Sequence, residues 1–287
     1  MSKPVVVIVP GSWQKPVAFE GLVQRLQTAG FEAIHVPLPT VGGTDLPLAG
    51  LAEDVAAVQA VLQKLAGEGK KALVVGHSSG GLVGSNAVAG QDNVVGLIYL
   101  SAFMIPKGKA LLDMLGGNPL PWMDIQASDF RMLPSSDFPI NPSLAIMAFL
   151  LPSSASLPAR CRQISNCGLT IAELQGDRVV GVPEMIPQVA FNDLVAEEQA
   201  KWTKEMTHTS TALFATPSGH EPWASGTPCG YIFCSDDNAL PFPIQQQMAA
   251  QLGPEPKIVT LKAGHCPFLS IPGQLVDAIK TLEAQLQ

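Results

Sequence analysis

The chain has 287 residues, 47% hydrophobic and 14% charged, enough apolar material for a sizeable core. Its formal net charge is -7 and it has no run of Lys or Arg, which argues against a nucleic-acid partner and against attraction to an anionic membrane surface. The apolar runs are of strand length, the N-terminal stretch lacks a signal-peptide pattern, and the five cysteines carry no CxxC or zinc spacing, so the expected setting is the cytoplasm and no metal site is expected.

In chain order, Val5–Val9 is a β-branched run with the look of a strand buried on both faces. A helix is expected from about Val17 to Ala29, with Phe19, Leu22, Val23 and Leu26 on one face and Gly30 where a C-terminal cap belongs. Ala33–Val36 reads as the next strand. Leu51, Val55, Val58, Leu62 and Leu65 recur at helical spacing. Ala72–Val75 reads as a strand, Leu82–Ala89 as a helix and Val94–Leu100 as a strand. This alternation predicts an α/β fold, a mostly parallel sheet with helices on both faces.

The rhythm stops near Met104. From there to about Thr211 the chain is rich in Pro, Ser, Met and aromatics, with helical patches at Leu144–Leu151 and Pro187–Met206. Strands resume at Tyr231–Cys234 and Lys257–Leu261, with helices at Pro243–Leu252 and Pro272–Leu286. The expected organisation is a core of residues 1–103 and 212–287 carrying an inserted, mainly helical cap over 104–211. Within the cap, Cys161 and Cys167 are near enough in sequence to pair, but are expected as free thiols in a reducing cytoplasm.

The most informative stretch is Val74–Gly84, "VVGHSSGGLVG". A P-loop needs Lys and then Ser or Thr after its second glycine, and Leu82 and Val83 follow Gly81 here. No register supplies the dinucleotide pattern G-x-G-x-x-G. Gly76-His77-Ser78-Ser79-Gly80 does match G-x-S-x-G, the sharp strand-to-helix turn that exposes a nucleophile above a sheet. Only Ser78 has a glycine two residues away on both sides, so Ser78 is the candidate nucleophile. Ser79 is then expected to offer its backbone N–H to an oxyanion.

A serine nucleophile needs a base, and in this arrangement the chain order is Ser, acid, His. Of the five histidines, His35 and His77 fail on order, His208 lies in the cap and His220 precedes the acidic cluster. His265, after the last strand, remains. The acid belongs at the end of the penultimate strand, where "YIFCSDDNALP" offers Asp236 and Asp237, and spacing does not choose between them. The turn Pro10-Gly11-Ser12-Trp13 is expected to give the second oxyanion donor, the N–H of Ser12. Each such donor is worth about 3 kcal/mol of barrier. Trp13 reads equally as core packing and as pocket lining.

With "VPGSW", "GHSSGG", "FCSDDNALP" and "AGHCPFLSIP" assembled, the chain resembles the α/β-hydrolase superfamily. It is similar in particular to the group of plant methyl-ester esterases, hydroxynitrile lyases and related fungal and bacterial hydrolases. The cap stretch "PEMIPQVAFNDLVAEEQAKW" resembles that group's cap. The resemblance implies the fold, a Ser78–His265–Asp237 triad in which Asp237 is the acid, and no cofactor. Hydroxynitrile lyases of the group carry a lysine directly after the catalytic histidine. Here that position is Cys266, which argues against the lyase activity.

The leading expectation is hydrolysis of an ester or lactone of an apolar or aromatic small molecule through an acyl-enzyme. The cap residues Trp122, Met123, Phe130, Met132, Phe138, Phe149, Phe191 and Trp202 suggest that character, with Trp13, Trp122, Phe149 and Trp202 as pocket candidates. Two rivals stand beside it. One is carbon–carbon bond cleavage or lyase chemistry on a secondary metabolite with the same triad. The other is a small-ligand receptor with vestigial hydrolysis. The partner is expected to be a small molecule, and the low charged fraction is compatible with a homodimer.

Overall fold

Strand residues of this chain alternate between two apolar layers, and that alternation builds the molecule. The computed structural model describes residues 3–127 and 176–286. The first half runs β1 (Val5–Val9), α1 (Glu20–Thr28), β2 (Ala33–His35), α2 (Leu51–Gly67), β3 (Ala72–His77), α3 (Gly80–Ala87) and β4 (Val94–Leu100). The insertion contributes α4 (Leu111–Met114), β5 (Met123–Gln126), β6 (Arg178–Gly181), α5 (Ile186–Val189), α6 (Ala196–Glu205) and β7 (Thr209–Ser210), and α7 (Thr211–Ala215) closes it. The chain ends with β8 (Cys229–Cys234), α8 (Phe242–Ala249), β9 (Lys257–Leu261), α9 (Pro267–Ser270) and α10 (Pro272–Leu286).

Six parallel strands form the main sheet in the order β2-β1-β3-β4-β8-β9. Val5, Val7 and Val9 enter a core shared with Val58 and Leu62 of α2 and Leu82 of α3. Val6 and Ile8 point the other way, into a core shared with Leu22 and Leu26 of α1 and Leu275, Ile279 and Leu282 of α10. Burying each such side chain stabilises by roughly 1.5–3 kcal/mol, which is why β1 tolerates no polar residue on either face. The chain leaves β1 for β2 on one side and returns to β3 on the other. The β1 and β3 carboxyl ends therefore flank the crevice where open parallel sheets bind ligands. Ser12 and Ser78 follow those two strands.

The insertion differs from the expectation in two ways. Besides its helices it holds a three-stranded antiparallel sheet, β5-β6-β7, absent from the sequence reading. The patch Pro187–Met206 is not one helix: α5 ends at Val189, a turn with a Leu194 N–H to Phe191 carbonyl bond intervenes, and α6 starts at Ala196. At the other end of the chain, α1 is preceded by a separate 3-10 turn over Pro16–Phe19. Leu144–Leu151, Phe130, Met132, Phe138, Phe149, Cys161 and Cys167 lie outside the described residues.

Candidate active site

The elbow is built by close approach of backbone. Ser78 stands between β3 and α3 with φ 53, the left-handed region that costs a non-glycine residue strain. The neighbouring turns press in so tightly that a Cβ on Gly76 would lie 2.7 Å from the Gly80 carbonyl oxygen. A Cβ on Gly11 would lie 2.7 Å from the Ser78 Cβ. The carbonyl of Ser78 accepts from the Gly81 and Phe103 N–H groups, both at 3.0 Å, which fixes the strained residue from two sides. Ser78 itself is 6% exposed.

The backbone N–H groups of Ser12 and Ser79 meet no acceptor among the described residues. Buried N–H groups are rarely left that way. Ser12, Ser78, Ser79 and His265 line one cavity, with Trp13, Phe103, Leu111, Leu120, Trp122, Met123, Phe214, Ala239 and Leu240. The four polar residues are therefore set in an apolar surround. The side chains of Ser12 and Ser79 also bond each other, Oγ to Oγ at 2.8 Å.

The two aspartates are placed differently. His265 Nδ1–H donates to Asp237 Oδ2 at 2.7 Å, while Asp236 is exposed and uses its N–H on the Ala263 carbonyl. Asp237 is 4% exposed and its carboxylate is held by further donors. Oδ1 accepts from the Ala239 and Leu240 N–H groups at 2.8 and 2.9 Å, and Oδ2 accepts from the Ser101 hydroxyl. These bonds fix the plane of the carboxylate and hence the tautomer and tilt of the imidazole. His265 Nε2 makes no hydrogen bond among the described residues, and the ring lies on the same cavity as Ser78.

Sequence reasoning missed several supports of this arrangement. His77, set aside because it precedes the acid, donates its Nε2–H to the His265 carbonyl at 2.8 Å. Its ring centroid lies 4.7 Å from that of His265. Burial, and then the nearby His265, push its pKa well below the ordinary histidine value. It therefore stays neutral beside the His265 ring. Ser101, with φ 39 at the end of β4, was not singled out either. Nor were Asn192 and Asp193 of the insertion. Asp193 accepts the Gly264 N–H at 2.7 Å, and Asn192 donates to the Asp236 carbonyl at 2.8 Å. Together they tie the histidine loop to the acid loop. No local pattern signals such contacts, because each joins residues far apart in sequence.

Of the pocket candidates, Trp13 and Trp122 meet at the cavity, ring centroids 5.1 Å apart. Trp13 is tethered to the insertion three times. Its N–H donates to Thr209 Oγ1, its indole N–H donates to the Val179 carbonyl, both at 2.8 Å, and its carbonyl accepts from the Thr207 N–H. Trp202 is not in the cavity. It lies on α6, its indole N–H bonded to Glu198 and the Lys201 ammonium over its ring. Cys266 is fully buried, receives a Gln14 amide proton at 2.9 Å, and has its thiol pKa raised by burial.

Among the described residues no cluster of three or more His, Cys, Asp or Glu side chains is placed to hold a metal ion, and no helix is long and apolar enough to cross a membrane. The model of the alpha/beta hydrolase family matches residues 6–278. The alpha/beta hydrolase nvfD of Aspergillus novofumigatus is 28% identical over 98% of this chain and 96% of that protein. The pyrethroid hydrolase of Sphingobium wenxiniae is 23% identical over 96% of this chain and 85% of that protein. Among solved structures, the methylesterase MES16 from Arabidopsis superposes with a TM-score of 0.69 at 18% identity, covering 96% of this chain and 97% of its own.

Proposed function

The chain belongs to the alpha/beta hydrolase family, and we propose that within it this protein is a serine hydrolase that cleaves an ester or lactone of an apolar or aromatic small molecule. The observation that carries this reading is the Asp237–His265 pair at 2.7 Å, opening on the same apolar cavity as Ser78 and the unbonded N–H groups of Ser12 and Ser79. Relatives named for pyrethroid and methyl-ester hydrolysis support the ester class.

The proposed mechanism uses these groups as follows. His265 Nε2 takes the Ser78 hydroxyl proton as Oγ forms a bond to the substrate carbonyl carbon. The carbonyl oxygen becomes an oxyanion and receives the Ser12 and Ser79 N–H groups. Asp237 holds Nδ1–H and stabilises the imidazolium, which then protonates the departing alkoxide as the carbon–oxygen bond breaks. Water, deprotonated by His265, adds to the acyl-enzyme. Collapse of that adduct releases the acid and returns the proton to Ser78. The cavity wall of Trp13, Phe103, Leu120, Trp122 and Phe214 suits an apolar acyl or alcohol group and offers no cation for a charged one.

The test is labelling with a fluorophosphonate probe and peptide mass spectrometry on the parent, Ser78→Ala and Asp237→Asn. The expected result is a label on Ser78, absent in Ser78→Ala and slowed about 10⁴-fold in Asp237→Asn. A label on Ser79, or none, would overturn the assignment. Turnover in oxygen-labelled water then separates ester hydrolysis from lyase chemistry, since hydrolysis puts the label into the acid.

A further inference from the structure

The residues that present the two free N–H groups also carry an unspent proton. Ser12 and Ser79 are 5% and 2% exposed, and their hydroxyl oxygens are 2.8 Å apart. Two hydroxyls bring two protons, and the bond between them uses one. Whichever serine accepts in that bond keeps its own O–H, and no acceptor among the described residues takes it. An O–H left unbonded in a dry setting is costly, so a partner is expected from whatever fills the space beside it. That space is the cavity that Ser12 and Ser79 line with Ser78 and His265, and the other described residues that line it are apolar.

We propose that the Ser12–Ser79 hydroxyl pair is a third donor of the oxyanion site. One hydroxyl donates to the other, and the accepting hydroxyl gives its free proton in a hydrogen bond to the substrate carbonyl oxygen as negative charge develops there. The first bond polarises the second, so the pair acts as a unit. The hydroxyl that touches the substrate is catalytic, and its partner is a positioning group. The inference rests on the ester-hydrolase reading above. Sixty-seven positions separate the two serines, so the pairing arises only when the turns after β1 and β3 come together.

The experiment compares the parent with Ser12→Ala, Ser79→Ala and the double variant. Five quantities are measured: kcat and KM on a p-nitrophenyl ester, affinity for a trifluoromethyl ketone whose adduct carries the oxyanion, fluorophosphonate labelling rate, and thermal midpoint. The expected result is a fall in kcat of about 10- to 100-fold in one single variant, with KM within about twofold. Ketone affinity falls by the same factor, and the midpoint is unchanged. The other single variant loses less, and the double variant loses no more than the worse single. Rates and ketone affinities within about twofold of the parent in all three variants would overturn the proposal. So would losses that multiply across the two sites, or a lowered midpoint with unchanged ketone affinity, since those mark a pair that only ties two turns together. A parent that neither cleaves esters nor takes the label defeats the ester-hydrolase reading itself, and this inference with it.

Discussion

The two walls of the cavity are made differently. On the core side, Ser12, Ser78 and Ser79 stand in turns set by backbone approach, with glycines at 11, 76 and 80 leaving no room for side chains. On the insertion side, Leu111, Leu120, Trp122 and Met123 supply bulk. Among the described residues, the polar groups of the cavity thus come from the core alone, whereas its apolar surface comes from both walls, since Trp13, Phe103, Ala239 and Leu240 of the core line it too. On the proposed reading, substitutions at the core turns and at the insertion's bulky residues are expected to fail in different ways.

The sharpest break of that division is Gly11→Ala. The new Cβ would collide with the Ser78 Cβ and lie 3.0 Å from His77 Nδ1, so the turn must shift away from the nucleophile. A loss of about 10²-fold or more in kcat is expected on every ester, large or small, because the oxyanion geometry is common to all. Steady-state kinetics on an acetate and a bulky aromatic ester would reveal it. A loss confined to the bulky ester would mean that the core wall also sets specificity.

Trp122→Ala tests the other wall. It is expected to cost about 10-fold in kcat/KM on aromatic esters and little on acetate esters, in line with the value of one apolar contact surface. Trp202→Ala, outside the cavity, serves as the control and should leave the ratio of the two substrates unchanged. Equal losses on both substrates for Trp122→Ala would remove the case for an insertion-lined pocket.

The smallest effect concerns the seam between the two regions. Asp54 of α2 accepts from Thr40 N–H and Oγ1–H at 2.9 and 2.6 Å, and the Thr40 carbonyl accepts from Ser210 of β7. Burial is the main cause that pushes Asp54 up to about 6. A carboxyl raised in the folded state binds its proton more tightly there than in the unfolded chain. Its contribution is therefore greatest below about pH 4 and is lost as pH rises towards 6. His35 runs the opposite way: burial lowers it to about 4, so its contribution falls as pH drops below 6.5. Comparing urea midpoints of the parent and Asp54→Asn at pH 4.5 and 7 cancels the His35 part. The variant is expected to gain on the parent by on the order of 1–3 kcal/mol between the two pH values. Parallel midpoints would mean that Asp54 titrates normally.

What could be read from the chain follows the same line. The strands Val5–Val9, Val94–Leu100 and Lys257–Leu261 and the helix Pro272–Leu286 stand where their patterns put them, because buried parallel strands and an amphipathic helix write their period into the sequence. The small sheet of β5, β6 and β7 left no such trace. Its strands have four, four and two residues, and β5 pairs with a strand more than fifty positions away. At the candidate site, a local turn and the chain order single out Ser78 and His265, and the fold brings the two to one cavity. Asp236 and Asp237 were not separable by spacing, since the choice depends on which carboxylate turns inward toward Ser101 and His265. His77 was passed over because its part is played by an imidazole N–H on a distant carbonyl, which no motif records.

The tethering of Trp13 bears on how freely the two regions can be recombined. This residue sits at φ 68 beside the Ser12 turn, and the groups that hold it there, Thr209 Oγ1 and the Val179 carbonyl, belong to the insertion. The insertion is thus no interchangeable module. A chimera that grafts a foreign stretch onto this scaffold is expected to keep the Ser12–Trp13 turn in place only if the graft brings a hydroxyl and a carbonyl to those two positions. In this chain, the outcome of such a swap is expected to turn on that joint as much as on the fit of the grafted stretch.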